Sequence, residues 1–388
     1  MTNVETARSG DPLALARLLV SIPSVNPTLA PGGSGEGEIA EVTADLLRGW
    51  GFDTDTHEVA SGRWNVVGRL AGEGPTLLFN GHLDTVGVEG MTVDPFAADV
   101  RNGRLVGRGS CDMKGGVAAL MSASARLASA GPRPSLVVAL TADEEHASVG
   151  MAALVEGRRP DELADMAVVC EPTSLRVMPA HKGFVWLRAL FRGRAAHGSR
   201  PDIGVDAVRH AGLYLAALDQ YADELEGRPA HPLLGYGSFH AGTIRGGTAE
   251  SVYPDACELT LERRTMPGEE TSDVVADFQR VLDQVSARYP SVEATLEMTL
   301  DRPGTEVGTD SPLVRGLLDA ASADGVESRV EGMTAWVDAA FLNEAGVPAV
   351  CFGPGSIEQA HTADEWLDVN ELQSCADILE GFARGLVG

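Results

Sequence analysis

Continuous apolar runs that end in acidic or imidazole side chains recur through the first half of the chain. Thr76-Leu77-Leu78-Phe79 leads into Asn80-Gly81-His82-Leu83-Asp84, and Ser135-Leu136-Val137-Val138-Ala139-Leu140-Thr141 leads into Ala142-Asp143-Glu144-Glu145. Met166-Ala167-Val168-Val169-Cys170 leads into Glu171-Pro172. Short runs of this kind, bounded by turn residues, predict strands buried on both faces. Helical spacing marks residues 12–19, 38–50 and 113–130, the last rich in Gly and Ala. Further strands are predicted at 53–58 and 65–70, with a hairpin-like region through 104–107. Strands alternating with helices predict an α/β fold, a mostly parallel sheet covered by helices.

From residue 181 the pattern changes. Residues 184–191 alternate as a strand, 203–225 read as a helix, and 237–245 and 256–264 read as strands around a Gly-Gly loop. A helix at 272–289 and a strand at 292–300 complete a β-α-β-β-α-β order, the ferredoxin-like α+β arrangement. The α/β pattern then resumes, with helices at 312–323, 337–345 and 370–386 and a buried strand at 348–352. The expected organisation is one domain in two parts, residues 1–181 and 303–388, interrupted by a second domain at 182–302.

Length and charge narrow the function. A chain of 388 residues suits two domains. Acidic residues outnumber basic ones 56 to 30, for a formal charge of -26, which disfavours nucleic acid and anionic membranes as partners. The five cysteines are odd in number and never spaced Cys-x-x-Cys, so neither a disulfide framework nor a thiolate zinc site is implied. Residues 1–11 are polar and no run approaches membrane-spanning length, so a cytoplasmic protein is expected. The glycine-rich stretch 32–37 lacks a Gly-Lys-Ser/Thr ending and is read as a loop, not a phosphate cradle.

The chemistry lies at the strand ends. His82, Asp84, Asp112, Glu144, Glu145, Glu171 and His361 are the candidates. Five carboxylates converging in one cleft raise one another's pKa, and divalent cations resolve the conflict. Two imidazoles, two terminal carboxylates and one shared carboxylate make a nitrogen and oxygen set for two ions, suited to Zn, Co or Mn. Ions so held lie roughly 3.5–4 Å apart and acidify water for attack. Two carboxylates remain outside the set. One must move protons, and Asp84, two residues past His82, suits the orientation of its imidazole.

These motifs carry a family resemblance. Gly81-His82-Leu83-Asp84-Thr85-Val86, Gly107-Arg108-Gly109-Ser110-Cys111-Asp112-Met113-Lys114-Gly115-Gly116, Asp143-Glu144-Glu145, Cys170-Glu171-Pro172 and Ala360-His361-Thr362 resemble, in order, those of the M20 metallopeptidases. That family includes acetylornithine deacetylases, succinyl-diaminopimelate desuccinylases and glutamate carboxypeptidases. The resemblance implies that His82 and Glu171 hold one ion, Glu145 and His361 the other, and that Asp112 bridges them. It makes Glu144 the general acid/base and Asp84 the residue that orients His82. It also implies a cis Asp112–Met113 peptide and a homodimer built on the inserted lid or dimerisation domain.

Within that domain, Ala195-Ala196-His197-Gly198-Ser199-Arg200-Pro201 resembles the segment whose histidine polarises the scissile carbonyl in a neighbouring subunit's site. Arg264, in Glu262-Arg263-Arg264-Thr265, matches an arginine that grips a substrate carboxylate. Ser251 stands where many relatives have an Asn that holds substrate, and Asp338 falls in a segment that touches the substrate pocket. Gly353 and Gly355 belong to a loop whose backbone N–H groups could meet an anionic substrate. Cys111 within its motif resembles the acetylornithine deacetylase branch. The expected activity is deacylation of an N-acyl amino acid, a small carboxylate-bearing substrate, by a dinuclear amidohydrolase, with zinc the expected metal. A dipeptidase or glutamate-type carboxypeptidase is the alternative enzyme, and a non-catalytic metal or ligand binder is the alternative from another class.

Overall fold

The computed structural model describes residues 3–129 and 131–387. They fall into two compact units. One holds the chain up to Pro179, Val307–Glu331 and the chain from Val337, and the other holds Ala180–Glu306 with Gly332–Trp336.

The first unit is built on a mixed sheet. Its centre is parallel, with Ser135–Thr141, Thr76–His82, Met166–Val169 and Ala349–Cys351 side by side in that order. Leu78 lies between Val137 and Ala167, and Val350 beside Val168, so the apolar runs seen in the sequence stack into one buried layer. The flanks are antiparallel. Arg63–Leu70 pairs with Ser135–Thr141 on one side and with Asp53–Ala60 through a tight hairpin, and Met178 pairs with Cys351 on the other. A hairpin cannot join parallel strands, which is why the sheet is less parallel than the alternating pattern predicts. Because the four central strands run the same way, the segments after His82, Thr141, Val169 and Cys351 all emerge at one edge. That carboxyl edge is where open α/β sheets keep their sites.

The helix Lys114–Ser129 is buried along nearly its whole length, against Pro12–Ser21 and Val369–Gly385. Its first turn needs glycine, since a Cβ at Gly116 would overlap the Cys170 carbonyl. The helix predicted at 113–130 thus matches Lys114–Ser129, with residue 130 outside the described residues. A smaller antiparallel sheet joins Trp366–Asp368, Arg104–Val106 and Asp99–Arg101, linking a late segment of the chain to an early one.

The second unit carries the four-stranded antiparallel order Ser238–Gly246, Ala256–Thr265, Gly183–Arg192, Glu293–Arg302. Alternate residues Val185, Leu187, Ala189, Phe191, Leu259 and Leu261 pack beneath the helices Ala207–Glu226 and Thr271–Arg288, which is the predicted ferredoxin-like arrangement. The first helix starts at Ala207 rather than 203. Arg194 pairs with Val205, and Asp206 caps the helix by accepting from the Arg209 N–H at 2.8 Å. The helix predicted at 337–345 is likewise shorter, Ala339–Glu344, with Asp338 at its N-cap. No helix among the described residues is long and apolar enough to cross a membrane.

Candidate active site

His82, Glu144, Glu145 and Glu171 leave the carboxyl edge of the central sheet, and Asp112 and His361 come from turns outside it. His82 is the last residue of its strand, Glu144 and Glu145 follow Ser135–Thr141 by way of a left-handed Asp143 (φ 68), and Glu171 follows Met166–Val169. Asp112 occupies the turn before Lys114–Ser129, and its peptide bond to Met113 is cis, as the resemblance implies. His361 (φ 62) lies between the 3₁₀ turn Ile357–Gln359 and the strand Trp366–Asp368.

Two triads result, and they share one residue. His82, Asp112 and Glu171 offer ligand atoms all within 4.8 Å of one another, and so do Asp112, Glu145 and His361. The two Asp112 oxygens face different imidazoles, Oδ1 at 3.1 Å from His82 Nε2 and Oδ2 at 3.4 Å from His361 Nε2. His361 Nε2 is also 2.9 Å from Glu145 Oε2. Glu144 belongs to neither triad.

The electrostatics of the site call for cations. Burial, then the charge of Asp112, pushes Glu145 up to about 7. Burial also pushes Glu171 up to about 8, although His82 opposes the shift. Glu144 is raised well above the carboxylate range by burial and then by Glu171. Hydrogen bonds to Asp112 and Glu145 hold His361 up to about 10. Burial works against a proton on His82, yet Asp112, Glu144 and Glu171 keep its pKa well above the ordinary value. The cluster therefore holds protons in place of positive charge. Glu145 Oε1 and Glu171 Oε1 are buried without a hydrogen-bond partner, as carboxylate oxygens aimed at an ion would be. A nitrogen and oxygen donor set with unpartnered carboxylate oxygens fits two divalent ions. Cys111 stays outside that set, its thiol raised by burial and donating to the Ser356 carbonyl at 3.3 Å.

Asp84 orients His82 differently from expectation. Its backbone carbonyl, 2.9 Å away, accepts from Nδ1, while its carboxylate lies 3.6 Å from that nitrogen. The carboxylate instead holds the glutamate turn, with Oδ1 accepting from the Glu144 N–H at 3.0 Å and Oδ2 from the Glu145 N–H at 3.3 Å. Behind it Asn26 Nδ2 donates to Asp84 Oδ2 at 2.8 Å and to Asp143 Oδ1 at 3.0 Å. Arg63 brings a guanidinium to this buried group, 2.6 Å from Glu36 Oε1 and 3.0 Å from Asp143 Oδ1.

Three carboxylates around one guanidinium leave a mark on Glu36, whose pKa burial and then Asp84 raise to about 7. A carboxyl whose folded pKa is raised stabilises the fold below its unfolded value, and that stability is lost as pH rises through the folded value. From pH 4.5 to 7 the metal-free protein should lose about 3 kcal/mol through this group. Urea unfolding of wild-type and Glu36→Gln protein across that range checks the prediction. Parallel stability curves would refute it.

Two expectations about substrate contacts change. The Gly353 N–H already donates to Thr173 Oγ1 at 3.0 Å and the Gly355 N–H to Glu371 Oε2 at 2.8 Å. Neither amide is available to an anion, because the loop spends both on its own closure. Asp338, expected at the substrate pocket, is only 1% exposed and accepts from Thr141 Oγ1 at 3.1 Å.

In the second unit, His197 and Ser251 are exposed neighbours. His197 pairs with Val252, and the Gly198 N–H donates to the Ser251 carbonyl at 2.6 Å. Arg264 is part-exposed, its Nε held by Glu262 Oε1 at 2.7 Å and its guanidinium over the Phe184 ring. Arg263 turns to the helix side, fully buried, with Nη2 between both oxygens of Glu269 at 2.8 and 3.0 Å.

Residues 78–385 match the model of peptidase family M20/M25/M40. The chain belongs to that family. It is 31% identical to the acetylornithine deacetylase of Proteus mirabilis over 378 residues, 95% of this chain and 94% of that protein. A tripeptidase from Staphylococcus aureus superposes with a TM-score of 0.79 at 21% identity, covering 97% of this chain and 98% of that one. Bacillus subtilis YxeP, described as a dinuclear metal-binding peptidase, does so with a TM-score of 0.71 at 18% identity, covering 97% and 98%.

As an M20 member the chain is a metal-dependent amidohydrolase. Much of the M20 site's support is invisible in the motifs. Arg63, Asn26 and Glu36 lie far from any ligand in sequence and look like ordinary surface residues there. A weak signal exists for Arg63 alone, a charge that opens the largely buried strand Arg63–Leu70.

Proposed function

We propose that this M20 enzyme hydrolyses the amide of an N-acyl amino acid. The observation that carries the reading is the pair of triads sharing Asp112, with Glu144 beside them and committed to neither. The acetylornithine deacetylase relative supports an acyl group, rather than a second amino acid, on the scissile nitrogen.

His82, Asp112 and Glu171 would hold one divalent ion, and Asp112, Glu145 and His361 the other. Bound there, the ions supply Lewis acidity and bring the pKa of water toward neutrality. Glu144 accepts the proton of the attacking water and returns it to the departing amine. Asp84 fixes Glu144 through its backbone N–H and aims the His82 imidazole through its own carbonyl. Arg264 grips the substrate carboxylate with the fork of a guanidinium whose Nε Glu262 already orients.

His197 donates to the carbonyl oxygen as charge develops on it. The Ser199 N–H lies 3.2 Å from His197 Nδ1 and donates to it, which leaves the proton of a neutral imidazole on Nε2. A second subunit is part of this reading. Along the strand Ala256–Thr265, Cys257 opposes Gly246 next to the loop of Ser251, while Arg264 opposes Ser238 at the far end. At about 3.3 Å per residue these ends are about 23 Å apart, beyond the span of one small substrate. Arg264 of one chain and His197 of a second copy can meet the same molecule, which supports a homodimer.

The test is a screen of zinc-, cobalt- or manganese-loaded enzyme against N-acetyl, N-succinyl and N-formyl amino acids beside dipeptides, with amine release as readout. N-acyl amino acids are expected to give the higher kcat/KM, and a consistent preference for dipeptides would overturn the reading. Arg264→Lys, run in parallel, should lose about 10–100-fold on carboxylate substrates and little on their amides. Equal losses on both would make Arg264 structural.

A further inference from the structure

Glu365 lies four residues past His361, is fully buried, and has no part in the chemistry above. Both of its carboxylate oxygens are saturated. Oε1 accepts from the N–H groups of Cys111 at 2.9 Å and Asp112 at 3.0 Å. Oε2 accepts from the Gly109 N–H at 3.0 Å and from Arg108 Nη1 at 2.7 Å. Three N–H groups of one turn thus converge on a single anion, the concave arrangement that backbone turns form around negative charge. Here the anion is supplied by the chain itself.

The same pair reaches the other ligand segments. Arg108 Nε donates to the Gly87 carbonyl at 3.1 Å, in the loop that continues from His82 and Asp84. The Gly107 N–H donates to the Glu365 carbonyl at 3.1 Å, just before Trp366–Asp368 pairs with Arg104–Val106. Gly109 (φ 79) completes the fit, since a Cβ there would come within 2.8 Å of Thr85 Cγ2. One carboxylate and one guanidinium therefore join the segments that carry His82, Asp112 and His361.

We infer that Glu365, with Arg108, is a positioning residue that fixes the turn of Asp112 against the His82 and His361 segments, so that the two Asp112 oxygens face two separate cation positions. The inference rests on Asp112 being the shared ligand. Glu365→Gln keeps the volume but not the bonding. Whichever way the amide turns, its NH₂ group meets two of the four donors and leaves them buried without an acceptor.

Cobalt titration of apo-protein, followed by visible absorption and equilibrium dialysis, tests this, with circular dichroism and thermal melts as controls for folding. Folded Glu365→Gln is expected to bind cobalt about 10–100-fold more weakly at one position or both, with an altered absorption spectrum. At saturating metal, kcat should fall while KM stays within about 3-fold of wild type, as expected when transition-state positioning alone is lost. A folded variant that binds two cobalt ions with wild-type affinity and spectrum overturns the inference, even if its Tm is lower. Should Glu365→Gln fail to fold, Arg108→Lys, which keeps the charge and the three backbone donors, replaces it. An unchanged cobalt titration in that variant overturns the inference equally. Asp112→Ala distinguishes the two levels, because retention of both ions by that variant removes the shared-ligand reading on which the inference rests.

Discussion

Glu144→Ala enzyme is expected to bind two divalent ions per chain and to turn over about 10²–10⁴-fold more slowly than wild type. Asp112→Ala should bind neither ion tightly. The contrast follows from the geometry, since Asp112 is common to both triads and Glu144 is in neither. Removing Asp112 also removes the partner that lies within 3.1 Å of His82 and 3.4 Å of His361. Glu144→Ala leaves the backbone N–H that Asp84 uses to hold the turn, so Glu145 keeps its place. Elemental analysis of the two purified variants, beside initial rates, decides the matter. Two ions retained by Asp112→Ala, or loss of both from Glu144→Ala, would reverse the assignment.

The second large effect is a recovery of activity. On the homodimer reading proposed above, Glu144→Ala and His197→Ala parents should each be nearly inactive, because there one lacks the proton carrier and the other the carbonyl donor. Random reassociation of equal amounts makes about half the dimers mixed. In a mixed dimer the His197→Ala chain retains its own Glu144 and borrows an intact His197, so one site of the two is complete. About a quarter of wild-type activity should return. If mass measurement confirms exchange and activity remains at the parental level, His197 acts within its own chain or has no catalytic part.

The candidate ligands are legible in the sequence for a physical reason. A buried parallel strand must be apolar, so a His or Glu at its end is conspicuous, and the strand order brings several such ends to one edge. The ferredoxin-like unit is legible through its period-two burial, which the helices of that unit cover on one side. Other features depend on partners distant in the chain. Glu365 reads as one more acidic residue in a chain that has 56, and only its four donors around residues 108–112 set it apart. Arg63 reads as a strand-edge charge until Glu36, Asp84 and Asp143 surround it. The Gly353 and Gly355 amides look available because sequence cannot tell whether a loop has already closed on Thr173 and Glu371. Asp84 shows the same limit at closer range, since its spacing from His82 identifies the partner but not whether carbonyl or carboxylate makes the bond.

The small sheet that ties Trp366–Asp368 to Arg104–Val106 has a consequence for how the enzyme is made. A ribosome delivers His82, Asp112, Glu145 and Glu171 early, then the whole of the second unit, and only afterwards His361 and Glu365. A nascent chain thus carries the complete triad of one cation position long before the other can exist. The late strand zips onto the early hairpin and delivers the last imidazole and the buried clamp together. A chain that stops before residue 361 lacks both the imidazole of the second triad and the carboxylate that holds the Asp112 turn, so the last stretch to be made is the one that closes the site.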